Sequence, residues 1–102
     1  MIHASPTVDG ASVCESFGRA PSYVLYDDGA KTLRVIENVG SEAEHGAGTG
    51  AIALLAAAGV RSIKAPHLGP KAAGAAAAAG ISVEHVDAGT SLETLFAGAA
   101  RT

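Results

Sequence analysis

The chain has 102 residues, a formal net charge of -3, one cysteine and no tryptophan. This length predicts a single domain over residues 1–102, whose one hydrophobic core folds without a disulfide or a structural metal. Scattered basic residues and few aromatic ones argue against nucleic acid as a partner. The longest apolar stretch, AIALLAAAGV at 51–60, is too short to span a bilayer, which argues against a membrane role. A lone cysteine and an N-terminus without signal-peptide character favour the cytoplasm.

The first half of the chain has the residue alternation and the turn signals of three strands. A short strand is predicted at 2–6, followed by a long loop. The segments SYVLY at 22–26 and KTLRVIEN at 31–38 flank an Asp-Asp-Gly turn. This arrangement predicts a tight antiparallel hairpin.

The second half changes to helical composition after the hairpin. A helix is predicted at 46–58 and a short strand at 61–65. The Gly69-Pro70 pair opens an alanine-rich second helix, because proline is well tolerated at the first helical position. A strand follows at 81–86, and the S/T-x-x-E spacing of residues 90–93 predicts a capping box that starts a final helix.

The order β-β-β-α-β-α-β-α predicts an α/β domain with a mixed five-stranded sheet and three helices. If strand 2 is antiparallel to strands 1 and 3, the carboxyl ends of strands 1, 3, 4 and 5 lie at one edge of the sheet. Open α/β sheets bind ligands outside these carboxyl ends. We therefore expect a site where three loops meet: FGRAP at 17–21, HGAGTG at 45–50 and APHLGPKA at 65–72.

Arg19 lies in the first of these loops, and Cys14 lies three residues before that loop. The charge of Arg19 is expected to favour the Cys14 thiolate, and thiolates bind soft metals well. The alternative for a free cysteine is a small buried hydrophobic residue. One cysteine cannot hold an iron-sulfur cluster alone, so any cluster must arrive preassembled.

The other two loops each precede a helix. Backbone amides near Gly46, Gly48 and Gly69 can approach an anion at the positive end of a helix dipole. The imidazole of His67 is a candidate metal ligand beside such a helix start, and Lys71 adds a positive charge. The alternative reading of HGAGTG is a helix start that needs small residues for close packing against the sheet.

The stretches FGRA, HGAG and H-x-G-P-K, in this order and spacing, resemble the dinitrogenase iron-molybdenum cofactor biosynthesis family, the NifX-like domains also found at the C-terminus of NifB. The resemblance spans nearly the whole chain and implies a ribonuclease H-like topology. Ser16 stands where the family usually has histidine, which removes one expected ligand. His67 and Lys71 stand where the family more often has asparagine, and both still suit an anion site.

The resemblance implies a non-catalytic carrier of an iron-molybdenum cofactor, its precursor or a related metal-sulfur cluster, with nitrogenase or cofactor-assembly proteins as partners. Two sets of residues are predicted to form the site. Metal ligands are predicted at Cys14, His45 and His67, and cofactor-binding residues at Arg19, Gly46, Gly48, Gly69 and Lys71.

Two other function classes fit the same residues. A small enzyme or sensor would bind a phosphate-bearing ligand through HGAGTG and Lys71, with His45 or His67 transferring a proton. A regulatory interaction domain would keep the same fold with an empty site. No spacing of acidic residues indicates general acid and base catalysis, and the chain has no G-x-S-x-G nucleophile motif.

Overall fold

The computed structural model of the chain describes residues 1–40 and 46–101, the last two by their backbone alone. The described elements follow one another in the order strand, strand, strand, helix, strand, helix, strand, helix, strand. They are β1 Ile2–Thr7, β2 Ser22–Asp27, β3 Thr32–Glu37, α1 Ala47–Ala57, β4 Val60–Ala65, α2 Pro70–Ala78, β5 Ser82–His85, α3 Leu92–Leu95 and β6 Ala100–Arg101.

The strands form one mixed sheet in the order β5-β4-β1-β2-β3-β6. Strand β2 is antiparallel to both β1 and β3, whereas β4 is parallel to β1 and β5 is parallel to β4. The first five strands thus have the ribonuclease H-like order, and the predicted fold class is confirmed. The sequence pattern missed β6, a two-residue strand that pairs in parallel with β3 at Thr32 and Leu33.

Alternate residues of β2 enter two separate cores on the two faces of the sheet, where a single core was predicted. Tyr23 and Leu25 pack in the larger core with residues of α1 and α2. Val24 faces the opposite side and packs with Leu92 and Phe96 of the α3 region. This period-two division is the packing that a strand covered on both faces requires.

The two longer helices are thin because four of their six buried residues are alanine. Ala51 of α1 and Ala76 of α2 are almost completely buried in the larger core. Small side chains let the two helices lie close to the sheet and to each other. None of the helices in the described ranges is long and apolar enough to cross a membrane.

The third helix is a single turn that begins one residue later than the predicted capping box. Ser91 is the N-cap, and its side chain accepts a hydrogen bond from the Thr94 amide at 3.4 Å. The hydroxyl of Thr90 instead donates to the Asp87 carbonyl oxygen at 2.7 Å. The predicted cap at Thr90 is therefore wrong by one position, because two adjacent hydroxyl residues offered the same signal.

Candidate ligand-binding cleft

A cleft of about 570 Å³ opens at the edge of the sheet where β1, β3 and β4 end. It is lined by residues 15–19 after β1, residues 46–49 at the start of α1, and His67 with residues 69–72 at the start of α2. The three predicted loops therefore meet at the predicted edge. A volume of this size fits a small ligand or a compact cofactor.

Six of the eight predicted site residues line this cleft: Arg19, Gly46, Gly48, His67, Gly69 and Lys71. Cys14 is not among the lining residues. His45 lies outside the described residues, and its predicted role stays a prediction. No group of three or more His, Cys, Asp and Glu side chains placed to hold a metal ion occurs in residues 1–40 and 46–101.

Two helices present their N-termini to the cleft. Gly46 is the N-cap of α1, with a φ of 72° that favours glycine, and Gly69 is the N-cap of α2. In the described part of the chain, no side chain caps either helix by a hydrogen bond. The first-turn amides of both helices therefore remain as donors for an anion at the positive ends of two helix dipoles.

The three loops touch one another through backbone and methyl groups. A Cβ added at Gly18 would lie 2.8 Å from both the Cα and the amide nitrogen of Gly48. A Cβ added at Gly48 would lie 3.0 Å from the Cβ of Ala72. The loop after β1, the start of α1 and the start of α2 are therefore stacked at contact distance, which fixes the base of the cleft.

Two buried polar side chains hold the first loop from beneath. The Tyr23 hydroxyl donates to the Phe17 carbonyl oxygen at 2.6 Å. Nδ2 of Asn38 lies 2.9 Å from the Gly18 carbonyl oxygen, 2.8 Å from that of Ala20 and 3.1 Å from the Tyr23 hydroxyl. Sequence reasoning did not assign either residue to the site, because the Tyr23 contact joins positions 6 residues apart and the Asn38 contacts join positions 15 to 20 residues apart, with no local pattern to indicate them.

Cys14 sits beside this loop but packs against the larger core as a partly buried side chain. Its thiol donates to the Ser16 carbonyl oxygen at 3.3 Å. Burial raises the pKa of the Cys14 thiol and thus favours the protonated form. This shift is opposite in direction to the one expected from the charge of Arg19, and burial is its largest cause. Metal binding by Cys14 stays a prediction, and it requires loss of this proton.

The exposed side chain of His85 contacts the third loop at Pro66. His85 Nδ1 lies 2.9 Å from the Pro66 carbonyl oxygen, and Nε2 lies 2.8 Å from Oδ1 of Asp87. An imidazolium donates from both nitrogens, so the Asp87 carboxylate and the Pro66 carbonyl raise the pKa of His85. His85 thereby fixes the residue that precedes His67.

Comparison with known proteins relates this architecture to one family. The family model described as dinitrogenase iron-molybdenum cofactor matches residues 1–100. The apo form of the orange protein from Desulfovibrio gigas is 28% identical, with a TM-score of 0.84 over 92% of this chain and 82% of that chain. A NifB-like protein from Thermotoga is 30% identical, with a TM-score of 0.77 over 92% of this chain and 83% of that chain. No curated protein sequence matches significantly.

Proposed function

Because the chain belongs to the dinitrogenase iron-molybdenum cofactor family, we propose that its cleft binds an iron-molybdenum cofactor, a precursor of it or a related metal-sulfur cluster. The protein acts as a carrier and catalyses no reaction on this cargo. Its partners are nitrogenase or cofactor-assembly proteins in the cytoplasm, which deliver or receive the cluster.

The observation that supports this proposal is the meeting of two uncapped helix N-termini at one cleft that also contains Arg19 and Lys71. Metal-sulfur clusters carry net negative charge that is spread over several sulfur atoms. Each helix N-terminus stabilises an anion by roughly 0.3 to 1 kcal/mol at an exposed site. The guanidinium of Arg19 and the ammonium of Lys71 add hydrogen-bond donors and positive charge for the same anion.

Selectivity for a metal must come from side chains that coordinate it. His67 lines the cleft and offers an imidazole nitrogen, which suits several transition metals. Cys14 and His45 are the other proposed ligands. Because this set contains one thiolate, the protein receives a preassembled cluster and does not build one.

Anaerobic purification from the protein's own host tests the proposal. We expect charge-transfer bands in the ultraviolet-visible spectrum of the wild-type protein. Arg19→Ala, Lys71→Ala and His67→Ala should each retain less cluster while keeping the wild-type circular dichroism spectrum. Arg61→Ala is the matched control, because Arg61 is an exposed cation at the amino end of β4 and does not line the cleft.

A colourless wild-type protein that retains a nucleotide or another phosphate compound would contradict the cluster assignment. That outcome would favour the sensor or enzyme alternative, since uncapped helix N-termini also bind phosphate. Normal cluster uptake by all three cleft variants would show that the cluster binds elsewhere.

A further inference from the structure

We propose that Asn38 and Tyr23 are positioning residues. They prepare the first loop, which carries Arg19, for an anion by holding three of its carbonyl oxygens in the protein interior. Neither residue lines the cleft. The identity of the ligand in this inference rests on the proposed function. The conformation of the ligand-free first loop does not depend on that function.

The contacts form a compact network around one short segment. Three carbonyl oxygens of residues 17–20 accept hydrogen bonds from the two side chains, at 2.6 to 2.9 Å. Tyr23 is 0% exposed and Asn38 is 6% exposed, so water does not compete for these donors. Burial also raises the pKa of the Tyr23 hydroxyl, which keeps it protonated as a donor.

The direction of these carbonyls fixes the direction of the amides that follow them. All described peptide bonds are trans, and in a trans peptide the C=O and the N–H point to opposite sides. The Phe17 carbonyl points to Tyr23, so the Gly18 amide points away from the buried network. The Gly18 carbonyl points to Asn38, and the Arg19 amide on the other side donates to the Ser16 hydroxyl at 3.3 Å.

This orientation matters for the charge of the cleft wall. Residues 15–19 form that wall, and a carbonyl oxygen turned toward the cleft would repel an anion. The buried donors remove the carbonyl oxygens of Phe17 and Gly18 from this wall and leave on it the Arg19 side chain and the Gly18 amide, which points away from the network. Asn38 also accepts from the Gly40 amide at 3.2 Å, so its side chain cannot rotate without losing contacts on both of its ends.

The experiment compares Asn38→Ala and Tyr23→Phe with Val24→Ala. Tyr23→Phe removes one hydroxyl and keeps the aromatic ring, whose centroid lies 5.4 Å from that of the Phe17 ring. Val24 lies on the same strand and is 0% exposed, but it faces the opposite core. Val24→Ala therefore lowers stability without touching the loop, and it is the control for a purely structural effect.

Two measurements are made on folded protein. In the ligand-free state, nuclear magnetic resonance follows the amides of residues 18–20, and we expect shifted resonances and hydrogen exchange faster by about tenfold in both loop variants. Affinity is measured anaerobically with tetrathiomolybdate, a coloured sulfide dianion. Asn38→Ala should bind it about tenfold more weakly than wild type, the effect of losing one hydrogen bond to a charged ligand. Val24→Ala should match wild type in both measurements.

Unchanged amides of residues 18–20 in the two loop variants would overturn the inference, whatever the affinity. Changed amides with wild-type affinity would overturn it as well, because the loop would then be free of any role in binding. If Asn38→Ala does not fold, Tyr23→Phe decides both points. Failure of the wild type to bind tetrathiomolybdate counts against the proposed function, while the ligand-free amides still decide whether the loop is held as described.

Discussion

The described helices begin in two different ways, and the difference follows their position relative to the cleft. α3 lies away from the cleft, and the Ser91 side chain caps its first turn. α1 and α2 open onto the cleft and begin at Gly46 and Gly69 without a side-chain cap. A glycine N-cap costs only a few tenths of a kcal/mol relative to serine or asparagine. The chain thus keeps two sets of amide donors available for a ligand at little loss of stability.

The largest expected effect comes from Gly18, where the first loop touches the start of α1. Gly18→Ala places a methyl group 2.8 Å from the Gly48 backbone, which cannot move aside without displacing the helix. We expect the free energy of unfolding to fall by about 1 to 3 kcal/mol, as in other overpacked sites. Denaturant unfolding measures the change.

Gly74→Ala is the control for that substitution, because a Cβ at Gly74 in α2 meets nothing within 4 Å. Alanine there should raise stability by roughly 0.5 to 1 kcal/mol, since glycine weakens a helix interior. If both variants change the free energy of unfolding in the same direction, the close contact at Gly18 does not explain the effect of Gly18→Ala.

Removal of the α3 cap tests the other half of the comparison. Ser91→Ala should lower the free energy of unfolding by about 1 kcal/mol, the usual effect of losing an N-cap hydroxyl, and leave anion binding at the cleft unchanged. Thr90→Ala should cost less, because its hydroxyl bonds the Asp87 carbonyl and not a helix amide. A larger effect of Thr90→Ala would mean that the cap has been assigned to the wrong residue. Thermal or denaturant unfolding of both variants decides this.

A cap introduced at α2 should separate stability from binding. Gly69 has extended backbone angles, with φ -61° and ψ 162°, and a Cβ there meets nothing within 4 Å. In Gly69→Asp the carboxylate should cap the first-turn amides and raise the free energy of unfolding by about 0.5 kcal/mol. The same carboxylate competes with an anionic ligand, so the affinity for tetrathiomolybdate should fall by about tenfold.

Gly69→Ser provides the uncharged comparison for this variant. It should stabilise α2 to a similar extent and weaken anion binding less, because serine supplies the cap without the negative charge. Unchanged affinity in Gly69→Asp would show that the amides of α2 do not contact the anion.

The smallest expected effect is the pH dependence contributed by His85. Its folded-state pKa is raised above 6.5, so its stabilising contribution is complete below that pH and is lost as the pH rises through the folded-state pKa. Nuclear magnetic resonance titration of the ring should give a midpoint above 6.5. Asp87→Asn should lower the midpoint, because the carboxylate is the main cause of the shift. A midpoint at or below 6.5 in the wild type would contradict the contact.

Most of the fold could be predicted because its elements have regular local patterns. The alternation in β2, the turn at 27–29 and the glycines around the alanine-rich helices each leave a signal within a few residues. β6 has two residues and its pairing depends on the distant β3, so no local pattern indicates it. The predicted cap of α3 is wrong by one position because Thr90 and Ser91 give the same sequence signal. Only their hydrogen bonds in the folded chain distinguish them.

The cleft was predictable as a place, whereas the surroundings of its side chains were not. Glycine-rich loops after parallel strands indicated where Arg19, His67 and Lys71 would meet. The sequence left Cys14 open between a metal ligand and a buried hydrophobic residue, because a loop residue has no periodic face to reveal whether it packs against the core. The network of Tyr23 and Asn38 could not be predicted either, because it consists of contacts between the hairpin and the first loop.

The stacked contacts of Gly18, Gly48 and Ala72 also determine how far the cleft can be redesigned. A mutant library that enlarges side chains at these positions would be depleted of folded members, whatever ligand is used for selection. Diversity is better tolerated at the rim, at Ser16 and His67, where side chains line the open space. Altered ligand preference in such a library should therefore arise from rim residues, while the glycine and alanine positions stay invariant among its functional members.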